Sequence, residues 1–475
     1  MSGPMSLEPR GSEQETLALR LAEPRPPRRR RPRWALDDTT LTIRLPRRGP
    51  DEDAISELAA ELADRIGPAV HPYEVAALLE SEGLSAAVIN ERYGHPNLFS
   101  LASALYERVP RTFPEPAPAA DPWRPDTVRC LLRGVLFALP GLAYLLTAPL
   151  WDTAGHAPAL IVAGLVSWAW GQALGHRAHL RMAAGRHEAG RTLLLGAPAG
   201  AALATGTAAV SAGGGPVVLA AAAQSAYLAA AGVLLVLARE RLLLAALGPL
   251  IAGAAVLPWR EPGSLLRAGL PALALAATLG VTAWVLWRTL AVPATAAASR
   301  PKMRWSLPYG LFGLAAGVLV LLEGVREPHA PYAVIVLTVS MGPAEWLLYR
   351  YRGLSVAALR ATATPAAFLL RSAAILALCL LLYLLPLLPA ALFTGADPAA
   401  LLLLAATLWT ALLLQAFGAA WPSAALCLTA AAVAGAATLL RLPGAGLALP
   451  LCCGAAAVAL AACALPLLGR PAPHG

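Results

Sequence analysis

The sequence predicts an all-α polytopic membrane protein, with about twelve transmembrane helices in two six-helix halves behind a small helical cytoplasmic domain. Three observations carry this. From Cys130 onward almost every window of about 20 residues is apolar, the length that crosses a hydrocarbon core. The 475-residue chain as a whole is 57% hydrophobic, with a mean hydropathy of +0.60. Gly and Pro recur throughout with no period-2 alternation, so these spans are helices rather than barrel strands. Third, a stretch occurs twice: Val166–Arg177 reads VSWAWGQALGHR and Val339–Arg350 reads VSMGPAEWLLYR. The two align without a gap, matching Val, Ser, Leu and Arg and setting Gln172 opposite Glu345. A one-residue shift sets Arg186 opposite Arg360, and upstream GLA at Gly141–Ala143 faces GLA at Gly313–Ala315. Two like-oriented halves form a parallel repeat.

Residues 1–50 form a tail rich in Arg, Pro and Glu, with a basic run at Arg28–Arg31 followed by Arg33. Such a composition buries no core. Its arginines either lie on an anionic lipid surface or form a solvated tail. No short basic region followed by an apolar core opens the chain, so no cleavable signal peptide is expected.

Residues 51–111 read as a helical domain. Ile55, Leu58, Leu62 and Ile66 recur at helical spacing, and Gly67–Pro68 ends that helix. A second helix starts at about Pro72, which suits a first turn, and stops at Glu82–Gly83. Ser85 caps a third that ends at Gly94, and a fourth follows Pro96 with Leu98, Phe99, Leu101, Leu105 and Tyr106. His71 and His95 read as cap or turn residues. Residues 112–129 form a Pro-rich linker.

The spans fall at about 130–150, 157–175, 192–211, 216–237, 242–257, 268–287, 307–324, 331–349, 364–387, 398–417, 421–440 and 446–468. The first half thus covers 130–287 and the second 307–470, with a loop at 288–306 between them. Alternate loops carry thirteen basic residues, among them Arg177, Arg181, Arg239, Lys302 and Arg352. The opposite loops carry four: Arg260, Arg267, Arg326 and Arg441. Positive loops face the cytoplasm, which places both termini there, in the inner membrane of the cell. The formal charge of +9 comes from these arginines, so it marks topology and lipid contact and not a nucleic-acid partner. The six cysteines lie in or at spans, without metal-ligand spacing to a histidine, so neither disulfides nor zinc are expected.

No catalytic constellation is legible: there is no Gly-rich phosphate loop, no HExxH and no GxSxG. No enzyme activity, cofactor or metal is expected. Polar groups inside the spans are costly in lipid and are therefore the functional candidates. Arg133 and Arg371 either face a central cavity and bind an anionic group or snorkel to the interface. Gln172 and Glu345, with Arg177 and Arg350 about five residues on, occupy matched positions: either they form a cytoplasmic-side gate, where Glu345 pairs with Arg350 or Arg352, or they make ordinary helix-end hydrogen bonds. Gln224, Ser225 and Tyr227 form a polar patch midway along the fourth span and, with Gln415 in the tenth, suit cavity lining. Glu323 reads as solvated at the outer end of the seventh span. Pro140, Pro386 and Pro389 are candidate kinks.

The six-plus-six duplication and the run WGQALGHRAHLRMAAGRHEAGR, leading from the second span into the third, resemble the superfamily of multidrug and toxin extrusion proteins and lipid-linked polysaccharide flippases. The resemblance covers 130–468; its second copy has Glu345 in place of Gln, and the Gly pattern is lost there. It implies alternating access between two lobes. The first span lacks the acidic residue that many drug exporters of this kind keep. That tilts the expectation toward export or flipping of a lipid-linked or polysaccharide envelope precursor, with membrane lipid around it and a lipid pyrophosphate held in a basic cavity. Residues 51–111 lie outside the family pattern and are expected to dock a partner. A non-transporting scaffold recruiting an envelope-building complex through them is the alternative, and it requires a packed lobe interface without a polar cavity.

Overall fold

The computed structural model describes residues 51–112, 124–150, 153–292, 301–326, 330–362 and 364–469. The tail 1–50, residues 113–123 of the linker, Trp151 and Arg300 fall outside them. The chain divides into two compact units, one within Pro9–Asp121 and one from Pro122 to Gly475.

In the first unit the expected helices form, each started by the cap its sequence supplies. Helix α1 (Glu52–Glu61) is capped by Asp51, and a break at Leu62 separates it from the single turn α2 (Ala63–Ile66). Helix α3 (Pro72–Ser81) has Pro at its first turn, and the His71 ring accepts from the Tyr73 amide. Helix α4 (Ala86–Tyr93) begins at Ser85 and ends at Gly94, whose φ of 67° is the left-handed stop that glycine allows. Helix α5 (Leu98–Arg108) is capped by Asn97. Ile55, Leu79, Ile89, Leu101 and Leu105 meet in one core. His95 lies buried in the α4–α5 turn, with Nδ1 2.7 Å from Ser100 Oγ.

The second unit is the membrane-embedded part. Eleven helices among the described residues are long and apolar enough to cross a bilayer. The first span is α6 (Thr127–Ala138) and α7 (Gly141–Thr147), broken at Pro140, which offers no N–H to Leu136. Then come α8 (Thr153–Met182), α9 (Arg186–Ala212) and α10 (Pro216–Val236). The expected fifth span is two short helices, α11 (Glu240–Ala246) and α12 (Gly248–Val256), because Pro249 removes a hydrogen bond at their junction. Helix α13 (Ser264–Leu290) completes the first lobe. The second lobe comprises α14 (Leu307–Gly324), α15 (Ala330–Ala361), α16 (Pro365–Thr394), α17 (Pro398–Ala416), α18 (Ala420–Leu439) and α19 (Ala445–Leu468). Pro386 and Pro389 lie inside α16 without ending it.

Two helix pairs join the lobes: α6 crosses α15, and α8 crosses α14. These are the first span on the eighth and the second on the seventh, the pairs that a twofold relation between halves exchanges. Within each lobe the equivalent neighbours pack too: α10 on α13 and α17 on α19. Glycine permits both interlobe crossings. A methyl group at Gly342 would approach Cys130 O to 2.7 Å, and one at Gly134 would approach Val339 O and Gly342 N to 2.9 Å. On the other side Gly310 and Gly313 lie against Ala169 and Gln172. The GLA match is not part of this symmetry. Gly313 sits at a crossing, but a Cβ at Gly141 would meet nothing within 4 Å; the first-half glycine at the crossing is Gly134.

Candidate functional site

The interlobe contacts gather toward one face of the membrane part, the face whose turns carry Arg181, Arg186, Arg239 and Arg360. Arg177 Nη1 donates to Pro301 O at 3.3 Å, and Trp346 Nε1 to Thr127 Oγ1 at 3.1 Å. Deeper, the His176 ring stacks on Tyr309 at 3.7 Å and 14°, with Nδ1 3.1 Å from Ser306 Oγ. Trp346–Thr127 and His176–Tyr309 tie one lobe to the other, while Arg177–Pro301 and His176–Ser306 tie α8 to the loop that leads into α14.

The strongest contact is ionic. Arg133, only 2% exposed, donates from Nε and Nη2 to Glu240 Oε1 at 2.8 and 2.6 Å and from Nη2 to Leu235 O at 3.2 Å. Its Nη1 reaches across to Glu345 Oε1 at 2.6 Å. Arg129 Nε adds a second cation on Glu240 at 2.8 Å. A buried guanidinium needs this many acceptors, because the low-dielectric interior otherwise makes its charge costly.

Beyond these contacts lies a cavity of about 460 Å³ between the lobes, within the range of small-molecule sites. Its floor, toward the arginine-bearing face, is polar: Gln172, His176, Tyr309, Glu345 and Gln415. Its walls are aromatic and apolar, with Phe137, Trp168, Tyr227, Phe312, Tyr383 and Trp409. Phe137 and Trp168 meet edge to face at 6.2 Å. The Tyr383 hydroxyl is held 3.0 Å from Ser340 Oγ, and Trp409 Nε1 donates to Ala344 O at 3.2 Å. Gln415 is 3% exposed, and its buried Nε2 has no hydrogen-bond partner among the described residues.

The residues singled out by sequence distribute as follows. Tyr227, Gln415, Gln172 and Glu345 line the cavity. Gln224 does not: its amide donates to Leu160 O at 3.1 Å and accepts from Tyr144 at 2.7 Å, tying α10 to α8 and α7. Ser225 is fully buried beside a separate small void among α8, α9 and α10. Arg133 neither snorkels nor lines the cavity; its donors are occupied by Glu240, Glu345 and Leu235. Arg371 is exposed on α16, outside the lining. Arg177 closes the rim on Pro301, while Arg350 lies over the Trp346 ring at 5.7 Å. Glu345 pairs with Arg133, which the α6·α15 crossing brings to it. Glu323 is 1% exposed and bonded to Arg326, which also holds Asp397 at 3.0 Å, so it is buried and not solvated.

The expected basic cavity is not what the lining presents. Its ionisable groups, tyrosines aside, are Glu345 and His176, and no arginine is among them. Sequence reasoning passed over Glu240, His176, Tyr309, Trp168 and Tyr383. For Glu240 a signal existed: an acid opening an apolar run directly after a positive loop, where a carboxylate implies a buried cation.

An all-α polytopic protein with a cavity between two lobes is the class this architecture defines. No family model and no curated protein matches the chain. Among solved structures it is similar to an outward-facing multidrug resistance MATE family transporter of the MOP superfamily. The likeness is 13% identity over 73% of this chain and 97% of the other, with a TM-score of 0.40. It is similar also to a MOP superfamily transporter from Pyrococcus furiosus, at 14% identity over 73% of this chain and 98% of that one, TM-score 0.38. A MATE structure in the bent conformation is 15% identical over 72% of this chain and 92% of its own length, TM-score 0.35. These come from the superfamily that the second-span run resembles.

Proposed function

We propose that this protein is a membrane transporter that moves an amphipathic solute by alternating access between its two lobes. The observation that carries the reading is the cavity itself. It lies between halves joined mainly at two helix pairs, and is polar at its floor and aromatic on its walls. A scaffold would bury its interface without such a space. With the arginine-bearing face in the cytoplasm, the lobes are closed on the inside and the cavity belongs to the outward-open state.

The lining bears on the substrate. A lipid pyrophosphate is commonly held by cations, yet the lining has no arginine and the Arg133 donors are taken up by two carboxylates and a carbonyl. An envelope precursor therefore fits if an uncharged sugar or an amine, rather than its phosphates, enters the cavity. The apolar tail would lie on Phe137, Trp168 and Tyr227.

Reconstituted liposomes test this with two fluorescent probes, an amphipathic amine and a lipid-pyrophosphate saccharide. Protein-dependent movement of the amine probe is expected, and Gly232→Trp should abolish it. Gly232 lines the cavity, and a Cβ there meets nothing within 4 Å, so the added side chain starts into open space. Failure of a folded, reconstituted protein to move either probe, or movement indifferent to the plug, would sink the proposal.

A further inference from the structure

The N-terminal domain leaves an apolar face uncovered. Tyr73 on α3 is 67% exposed, Val70 in the turn before it 66%, and Phe99 on α5 57%. These residues form one patch. The Tyr73 and Phe99 rings meet edge to face at 5.7 Å, the His71 ring lies 4.6 Å from Tyr73, and the Tyr106 hydroxyl donates to Val70 O at 2.7 Å. Ala77, one helical turn on from Tyr73, is exposed as well. Single apolar side chains on a surface are ordinary, but a joined aromatic patch on so small a domain marks a contact surface. The domain around it is acidic: residues 51–111 hold eleven carboxylates against four arginines, a net charge of −7. Glu74, on the rim of the patch, accepts from the Val70 amide at 3.0 Å. The four arginines are engaged locally: Arg65 and Arg108 pair with Glu82 and Glu52, while Arg92 and Arg111 lie over Tyr93 and Tyr106. The excess negative charge is left to attract a basic partner.

Charge and connectivity single out one occupant. Residues 25–48 carry nine arginines and two aspartates, a net charge of +7, interspersed with Trp34, Leu36, Leu41, Ile43 and Leu45. The chain enters the domain at Asp51, the cap of α1, and the next residue, Glu52, pairs with Arg108 at 3.7 Å. Arg108 stands two residues beyond Tyr106, the residue bonded to Val70, so the entry point lies beside the edge of the face. Reach is ample: at about 3.3–3.6 Å per residue the stretch from Trp34 to Asp51 spans up to about 60 Å, against a domain about 25–30 Å across. A second copy of the same face, or an anionic lipid surface, would meet negative charge with negative charge. We propose that Val70, Tyr73 and Phe99 form the docking surface for the chain's own residues 25–48. The arginines meet the carboxylates around the face, and Trp34 with its Leu and Ile neighbours covers the rings. Held there, the basic run is withheld from lipid, so the domain and the membrane surface compete for one segment. None of this depends on the transporter reading.

Photo-crosslinking of the full chain gives the test, with benzoylphenylalanine in place of Phe99 and, in a second protein, of Tyr73. Both positions are exposed, so the larger side chain needs no space in the core. Each protein is reconstituted into nanodiscs of neutral lipid as an equal mixture of isotopically light and heavy chains, irradiated, digested and mapped by mass spectrometry. Links from both positions to residues 25–48 are expected, light joined to light and heavy to heavy. Their yield should fall at least about threefold as ionic strength rises from about 0.1 to 1 M, where the screening length shortens from about 10 to 3 Å. Replacing Arg25, Arg28–Arg31 and Arg33 by Gln should lower the yield by a similar factor, with unchanged hydrogen exchange at the core residues Leu79 and Leu105 showing that the domain stays folded. Links between light and heavy chains would seat another copy on the face, and links to lipid would seat the membrane there. Either result, the absence of links to residues 25–48, or a yield unmoved by salt or by the arginine substitutions, overturns the proposal.

Discussion

Replacing Glu240 by Gln keeps the shape of the cluster and deletes the charge on which Arg133 and Arg129 converge. Arg133 would then hold its full charge at 2% exposure against Glu345 alone, with Nε and Nη2 facing a neutral amide. Breaking a buried pair by removing one partner costs about 3–5 kcal/mol, because the remaining charge stays desolvated. Replacing Glu345 by Gln removes one charged contact and leaves Arg133 neutralised by Glu240. The expected loss is about 1–3 kcal/mol, that of a single charge-assisted hydrogen bond. Glu240→Gln should therefore be the more damaging of the two, although Glu345 and not Glu240 lines the cavity. Thermal unfolding of the detergent-solubilised protein, followed by the monodisperse fraction surviving each temperature, ranks them. Because the pair is buried, the ranking should hold as salt is raised, when surface pairs would be screened. Equal losses, or a larger one for Glu345→Gln, would refute the division of the cluster into an intralobe pair and an interlobe tether.

Two further outcomes are expected. Gly342→Ala sets a methyl 2.7 Å from a backbone oxygen of α6; it should cost about 1–3 kcal/mol by overpacking, whereas Gly141→Ala, with open space around it, should change stability by less than about 0.5 kcal/mol. Thermal unfolding of both variants checks the contrast. In the N-terminal domain, burial first and the Arg108 guanidinium second hold the His95 imidazole below its ordinary range. As pH falls below about 6.5, the unfolded chain takes up a proton that the folded domain refuses, so stability is lost on acidification until the folded imidazole itself protonates. Hydrogen exchange across 86–108 of the full chain, corrected for intrinsic rates, should rise in that window in wild type and stay level in His95→Gln.

The spans and the helical domain were legible because their signals are local. A 20-residue apolar window, a Ser or Asn before a helix, and a Gly after one each decide a segment without reference to the rest of the chain. The break at Pro140, among the expected kinks, and the unexpected split at Gly248–Pro249 also follow from proline. The site was legible only in part. In helices apolar nearly all round, no stripe says which face looks inward, so Tyr227 and Gln415 were found by their polarity while Trp168 and Trp409 were hidden among other aromatics. Arg133 and Arg371 look alike in sequence, each an arginine within a few turns of a helix start. What separates them is tertiary: α6 is pressed between α11 and α15, which supply two carboxylates, whereas Arg371 stands exposed on α16.

The duplication gives the cluster a further meaning. A symmetric dimer of halves would cross twice in the same way, yet here the two crossings have diverged. Gln172, the gapless match of Glu345, is an amide pressed on Gly313, and beside it His176 and Tyr309 join by stacking. The α6·α15 crossing carries the ion pair instead. One crossing thus holds by shape and surface contact, and the other carries a charged tether as well. A molecule built this way has a pivot and a latch on the same face, and the difference between them is the exchange of one amide for one carboxylate. Glu345→Gln makes the two matched positions chemically alike. The expected consequence is loss of the charged tether together with retention of both lobes' folds, visible as a lower thermal midpoint with unchanged helical content by circular dichroism.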